Sequence, residues 1–156
     1  PVAIRLEADA ARLDPLVVTG EVVVSPEFTR RRQRGLGYFV TAEDLERAGS
    51  REVSQYLQRL PVLRIFGELG RTYAVSERGT KLDMDGNPTV CAMRVALDGK
   101  VLPEGTSLDI LPPSWVGGIE VYAGPASLPA ELSALARDAR CGLIVLWGRP
   151  GGGGGR

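Results

Sequence analysis

Residues 119–125 read I-E-V-Y-A-G-P, and residues 141–149 read C-G-L-I-V-L-W-G-R. The first stretch alternates in hydropathy and ends at a Gly-Pro turn, which is typical of a β-strand. The second is a continuous apolar run, which indicates a strand buried on both faces. Between them, Leu132, Leu135 and Ala136 have helical spacing. This part of the chain is therefore predicted to form a strand, a helix and a second strand.

The remaining periodic segments predict an α+β fold, a small mixed sheet of four or five strands with two to three helices packed on it. We place the strands at residues 38–40, 91–97, 119–122 and 143–147, and the helices at residues 42–48, 51–60 and 129–139. Because a helix joins the last two strands, we expect them to pair in parallel through a right-handed crossover.

Capping and turn signals mark the ends of several elements. Thr41, followed by Asp44, resembles a capping box at a helix start, and Ser50 is placed to cap the next helix. Residues 62–66 and 71–75 are predicted to form a hairpin, because a glycine-containing turn separates two β-favouring runs. The first two helices therefore begin at side chains that can accept a backbone N–H.

The composition narrows the range of functions. Nineteen basic residues balance nineteen acidic ones, so no net charge attracts nucleic acid or an anionic membrane. The absence of histidine removes Ser-His and Cys-His nucleophile pairs and the commonest neutral-pH general base. Asp83 and Asp85 lie two residues apart in a predicted turn and are expected to face solvent. We therefore expect no enzyme, no cofactor, no metal site, no nucleic-acid partner and no transmembrane segment.

Two local features have alternative interpretations. The basic cluster at residues 30–34 is either a nucleic-acid or lipid-headgroup patch or a solvated loop or helix face, and the zero net charge favours the solvated face. Cys91 and Cys141 each begin a predicted strand. They are either ordinary core thiols or a disulfide pair, and without histidine they cannot complete a standard zinc site unless carboxylates help.

Several pieces of the chain resemble, in order, the plug domain of TonB-dependent outer-membrane receptors. They are L-D-P-L-V-V-T-G at 13–20, F-V-T-A-E-D-L at 39–45, V-S-Q-Y-L-Q-R-L-P-V-L at 53–63, R-G at 78–79, V-A-L-D-G at 95–99 and I-E-V-Y-A-G-P at 119–125. Residues 2–14 resemble the last strand of the carboxypeptidase-regulatory-like domain that often precedes plugs. Val62 and Ala123 depart from the family's glycine and arginine at those positions.

The resemblance implies an organisation and a location. We expect an N-terminal edge strand and tether at residues 1–13, a plug-like domain at 14–149 and a flexible glycine-rich tail at 150–156. The chain looks like a mature or excised segment, and we expect it in the bacterial cell envelope (periplasm or outer membrane) or outside the cell. In such an oxidising compartment, the cysteines are expected to form a disulfide between Cys91 and Cys141.

Two functions follow from the resemblance. The first is a non-enzymatic module that acts through protein contacts and assembles with copies of itself by strand pairing, with possible partner-binding residues in two N-terminal segments. These residues are Val2, Ile4, Leu6, Leu16, Val17, Val18 and Thr19. The alternative is an excised plug of a transport receptor, in which residues 16–19 are the energy-coupling TonB box and the loops at 68–81 and 103–106 touch substrate. A core strand is the other interpretation of residues 16–19.

Overall fold

The computed structural model describes residues 24–151. The expected partner-binding residues (Val2, Ile4, Leu6, Leu16, Val17, Val18 and Thr19) and the glycine-rich end of the tail lie outside the described residues. Within the described range the helices are α1 (Pro26–Arg34), α2 (Ala42–Ala48), α3 (Val53–Leu57) and α4 (Ser133–Ala136). Single 3₁₀ turns lie at Leu108–Ile110, Pro113–Trp115 and Ala130–Leu132.

Two sheets contain all the strands of the described range. The strands are β1 (Tyr38–Thr41), β2 (Leu63–Glu68), β3 (Arg71–Leu82), β4 (Pro88–Ala92), β5 (Arg94–Leu97), β6 (Lys100–Val101), β7 (Val116–Tyr122) and β8 (Leu143–Gly148). The main sheet has the order β1-β7-β8-β5-β6, and the small sheet has the order β2-β3-β4. Because β5 and β8 are parallel and the other pairs are antiparallel, the main sheet is mixed. The expected α+β fold is confirmed.

The expected parallel pairing of the last two strands is wrong. β7 and β8 are antiparallel neighbours, with Ile119 opposite Leu146 and Tyr122 opposite Leu143. The reason lies in the connection, where the expected eleven-residue helix is reduced to a 3₁₀ turn and the four-residue α4. At about 1.5 Å per residue, α4 is far too short to carry the chain back along β7. The parallel partner of β8 is β5 instead.

The expected strand at residues 91–97 is divided between the two sheets. Met93 separates β4 from β5, and its N–H donates to the carbonyl of Ala74 in the small sheet. The next residue, Arg94, donates its N–H to the carbonyl of Gly142, beside the main sheet. The buried Met93 side chain therefore marks the point where the chain passes from one sheet to the other.

The cap expected from the sequence is present at the start of α2 and absent at the start of α3. Thr41 and Asp44 form the expected capping box, and α2 has the expected bounds. α3 is shorter than expected and begins after Glu52, so Ser50 does not cap it. The first turn of α3 is satisfied from elsewhere, because Asp109 accepts the N–H of Ser54 at 2.8 Å and its hydroxyl at 2.7 Å.

Helices cover both faces of the main sheet. The larger apolar cluster lies on the face that receives α2 and α3, and includes Leu45, Leu57, Ile119, Ile144 and Leu146. The smaller cluster lies on the other face, near α4, and includes Ala96, Tyr122, Leu132, Leu143 and Val145. β7 is consequently buried at every position. Among the described residues, no helix has the length and apolarity needed to cross a bilayer.

α1 packs on the second face of the main sheet through Phe28. The approach is close because position 118 is glycine, and a Cβ there would lie 2.8 Å from the Phe28 ring. Ser25 caps the helix by accepting the N–H groups of Glu27 and Phe28, and Gly35 ends it in the left-handed region. The basic cluster is thus helical, as one interpretation expected.

One arginine of this cluster is not solvated, which corrects that interpretation. Arg31 is 3% exposed and forms a two-pronged ion pair with the fully buried Glu120 of β7, with contacts of 2.8 and 2.7 Å. Trp147 donates its indole N–H to the same carboxylate at 2.7 Å, and the Tyr122 hydroxyl also donates to it. Arg31 lies three residues after Phe28, so both side chains leave the same face of α1.

The buried carboxylate fixes the protonation of its partners. Burial raises the pKa of Tyr122, and its hydrogen bond to Glu120 raises it further, so the phenol remains a donor. The same carboxylate raises the pKa of Arg31 through the hydrogen bond between them. Glu120 therefore has four N–H and O–H donors and no contact with water, which is the arrangement a buried charge requires.

The first prediction concerns this pair. Arg31→Ala should lower the free energy of unfolding by about 3–5 kcal/mol, because it leaves the Glu120 charge buried without its counter-ion. Arg31→Met combined with Glu120→Gln should be less destabilising, because no charge stays buried and the amide oxygen can still accept from Trp147 while its NH2 donates to the Tyr122 hydroxyl. Urea unfolding followed by circular dichroism measures both changes.

Arg34→Ala is the matched control for this experiment. Arg34 lies on the same helix and pairs with Glu131 at 3.0 Å, but both side chains are exposed, so its loss should cost much less. Equal destabilisation by Arg31→Ala and Arg34→Ala would show that the buried pair does not hold α1 on the sheet.

Candidate functional site

A cleft of about 800 Å³ lies where the two sheets meet. One wall consists of residues from β3 and β4 of the small sheet, and another consists of β5 and the turn after α4. The loop at 102–106 closes a further side. The volume falls within the range that binds small organic ligands.

The Cys91–Cys141 disulfide ties two of these walls together. The Cα atoms lie 5.4 Å apart, and both cysteines are buried. We expected both cysteines to begin strands that lie side by side. The strands do lie side by side, because β5, the second part of the expected strand at residues 91–97, pairs with β8. The cysteines themselves are not the first residues of strands. Cys91 lies within β4, and Cys141 lies in the turn before β8, so the bond joins the small sheet to the main sheet.

A carboxylate bridges two arginines at the cleft. Glu104 contacts the Nη1 atoms of Arg94 and Arg137, each at 3.1 Å. Asp138, which also lines the cleft, is held by Arg140 at 2.8 Å, and the hydrogen bonds from Arg140 lower the pKa of Asp138. The acidic groups on this side of the cleft are therefore occupied by arginines of the same chain.

Arg94 has an unused donor. Its Nε atom is buried and has no hydrogen-bond partner within residues 24–151, although its Nη1 atom contacts Glu104. An unpaired buried donor costs about 1–3 kcal/mol. The guanidinium is therefore only partly satisfied by the protein itself.

The loop at 102–106 is anchored at both ends and is weakly held between them. At one end, the Leu102 N–H donates to the Val95 carbonyl at 2.9 Å. At the other end, Ser107 contacts the Thr72 hydroxyl at 2.9 Å, and Thr72 donates to Asp109 at 2.6 Å. Between the anchors, Thr106 donates to the Pro103 carbonyl of the same loop. Arg71 makes a long contact to the Gly105 carbonyl at 3.4 Å.

The expected loop at residues 68–81 is wrong, because most of it belongs to β3, but the structure brings parts of this segment and of residues 103–106 together. Residues from 68–73 and Lys81 line the cleft, and so do residues 103–106. Sequence reasoning missed the arginine–carboxylate bridge. Arg94 lies within the expected strand at residues 91–97, and no local pattern links Glu104 to Arg137, which lies 33 residues away.

A second surface of interest is the small sheet. Phe66 on β2 and Val90 on β4 are 40% and 59% exposed, and Leu82 at the end of β3 is 60% exposed. Among the described residues, β2 and β4 each pair only with β3, so each leaves one edge of the sheet open. Open edges with apolar side chains can accept a further strand.

One protein family and several solved structures are similar to this chain. The family described as TonB-dependent Receptor Plug Domain matches residues 37–136. The siderophore receptor PirA from Acinetobacter baumannii has 20% identity and a TM-score of 0.48, covering 79% of this chain and 18% of that receptor. A mutant ferric enterobactin receptor from Pseudomonas aeruginosa, in complex with enterobactin, has 20% identity and a TM-score of 0.42, covering 72% of this chain and 17% of that receptor.

The chain spans less than a fifth of the length of these two receptors. No curated protein sequence matches it.

The second prediction concerns the disulfide. Replacing Cys91 and Cys141 together by serine should lower the free energy of unfolding by about 4 kcal/mol, because the bond closes a loop of 50 residues in the unfolded chain. Urea unfolding with and without reductant measures the effect. The serine variant should be insensitive to reductant, which makes it the control. Two free thiols per chain, titrated after unfolding without reductant, would contradict the prediction.

Proposed function

Because this chain belongs to the family of TonB-dependent receptor plug domains, we propose that it acts through contacts with other protein chains and assembles with copies of itself. The family is non-enzymatic and related to transport, and membership in it agrees with the expected location in the bacterial cell envelope. The observation that carries the proposal is the open small sheet, whose two edges expose apolar side chains.

The main sheet supports contact at an edge rather than on a face. Both of its faces are covered by the chain's own helices. The buried carboxylate of Glu120 on β7 is paired with Arg31. A partner therefore finds no open apolar face on the five-stranded sheet. The exposed apolar side chains of β2 and β4 are the better contact surface.

We propose that the segment with Val2, Ile4 and Leu6 of one copy adds as a strand to the small sheet of another copy. Its alternating apolar side chains suit an edge strand whose backbone supplies the hydrogen bonds. The nine residues at 7–15 reach about 30 Å when extended, which is long enough to bridge to a neighbour. Such head-to-tail addition produces an oligomer or a filament, depending on whether the rotation closes.

A second candidate function is that of a plug within a larger transport receptor. The observation that favours it is that residues from the segment 68–81 and the loop at 103–106 both line one cleft. In this function Leu16, Val17, Val18 and Thr19 serve as the energy-coupling segment. Substrate then contacts the cleft, and the exposed strands of the small sheet contact the receptor that surrounds the plug.

The third prediction tests self-assembly. The intact chain should sediment as an oligomer in analytical ultracentrifugation, and a chain without residues 1–7 should sediment as a folded monomer, because the added strand is gone. Val90→Lys should also weaken association, since a lysine on an edge strand opposes pairing. Leu36→Lys, at a similarly exposed apolar residue between α1 and β1, is the matched control and should leave association unchanged.

Sedimentation of the intact and shortened chains as identical monomers would rule out assembly by strand addition. The plug function would then be the better account.

The fourth prediction tests the plug function. The purified periplasmic domain of TonB should retain the intact chain in a pull-down, and Val17→Pro should abolish retention, because proline removes a backbone donor from a pairing strand. Ile4→Pro is the control and should be retained. Equal retention of both variants, or no retention of the intact chain, would contradict a coupling role for residues 16–19.

A further inference from the structure

We propose that the cleft between the two sheets binds a small ligand carrying carboxylate or phosphate groups, held by Arg94 and Arg137. The inference names the ligand class of the cleft on which the second candidate function rests. Ligand binding does not depend on how the chain couples to TonB. A failed TonB pull-down therefore contradicts the coupling role alone, and a failed ligand titration contradicts this inference alone.

The charges around the cleft favour an anion once the internal pairs are considered. Arginines and a lysine face three carboxylates in the lining. Asp138 forms an ion pair with Arg140, and Glu104 forms ion pairs with both Arg94 and Arg137. If the Glu104 carboxylate moves away, these two guanidiniums are left facing the cleft without an acid.

Glu104 occupies the place that a ligand oxyanion would take. Its carboxylate reaches both arginines at 3.1 Å, which is longer than the about 2.7–2.9 Å of a strong charge-assisted hydrogen bond. The Glu104 side chain is 73% exposed, and exposed pairs of this kind are weak. A ligand oxyanion can therefore replace it at little cost.

Arg94 offers a ligand more than Glu104 uses. Glu104 contacts the Nη1 atom of the guanidinium, whereas the buried Nε has no partner among the described residues. Oxyanions bind arginine through two parallel hydrogen bonds, and Nε forms such a pair with Nη2 rather than with Nη1. A carboxylate or phosphate at that edge satisfies the unpaired donor, while a second acidic group of the same ligand takes the place of Glu104 at Nη1.

The loop that carries Glu104 can move without breaking the contacts at its two ends. The anchors at Leu102 and Ser107 hold the loop ends, while Gly105 adopts a φ of 78° that suits glycine. Movement of residues 103–106 therefore leaves the anchors in place. The disulfide does not involve this loop and ties the two other walls of the cleft together.

The test is a titration of the full chain followed by amide NMR, with citrate and pyrophosphate as separate probes. We expect local shifts around Arg94, Glu104 and Arg137 with at least one probe, and the response of the two probes distinguishes carboxylate from phosphate ligands. Glu104→Gln should tighten binding about threefold, because it removes the competing charge. Arg137→Gln should weaken it by a similar factor, and Arg94→Gln about tenfold.

Arg47→Gln is the control for loss of positive charge. Arg47 is 78% exposed on α2, away from the cleft, and its replacement should leave binding unchanged. Equal weakening by Arg47→Gln and Arg137→Gln would show nonspecific charge attraction and overturn the proposal. Absence of local shifts with both probes in the Glu104→Gln variant would overturn it as well, and this variant does not remove a buried group.

Discussion

The buried carboxylate of Glu120 is the constraint on which the rest of the main sheet depends. It lies in the middle of the sheet with no exposed surface, so every one of its partners has to be in place. Arg31 comes from α1, Trp147 from β8 and Tyr122 from β7 itself. The carboxylate thus fixes the position of α1 and the relation of the two central strands, and Gly118 gives the helix room to approach.

The second level of organisation is the connection between the sheets. The chain crosses from one sheet to the other at Met93, and the disulfide between Cys91 and Cys141 closes the same junction from the other side. The cleft lies beside this junction, because Cys91, Met93 and Cys141 all line it. Under the functions proposed above, the main sheet provides stability, the open edges of the small sheet contact other chains and the cleft binds a ligand.

Much of the fold could be predicted from local sequence. The capping box at Thr41 and the apolar run of β8 carry their signals within a few residues, and their bounds agree closely with expectation. Strand direction could not be read locally, because it depends on how far the connection after Tyr122 travels. The burial of Arg31 and the bridge at Glu104 could not be predicted either. Arg31 pairs with Glu120, which lies 89 residues away, and Glu104 pairs with Arg137, which lies 33 residues away. Such pairs are specified by packing and leave no periodic pattern.

Amide hydrogen exchange of α1 tests the central claim most directly, because it reports whether the helix and the sheet open together. If Glu120 holds α1 on the sheet, the helical amides near Arg31 should exchange with an opening free energy close to that of the amides of β7. Replacement of Arg31 should then lower the protection of α1 far more than that of the small sheet. Exchange of the α1 amides near the unprotected rate, while β7 remains protected, would contradict the account.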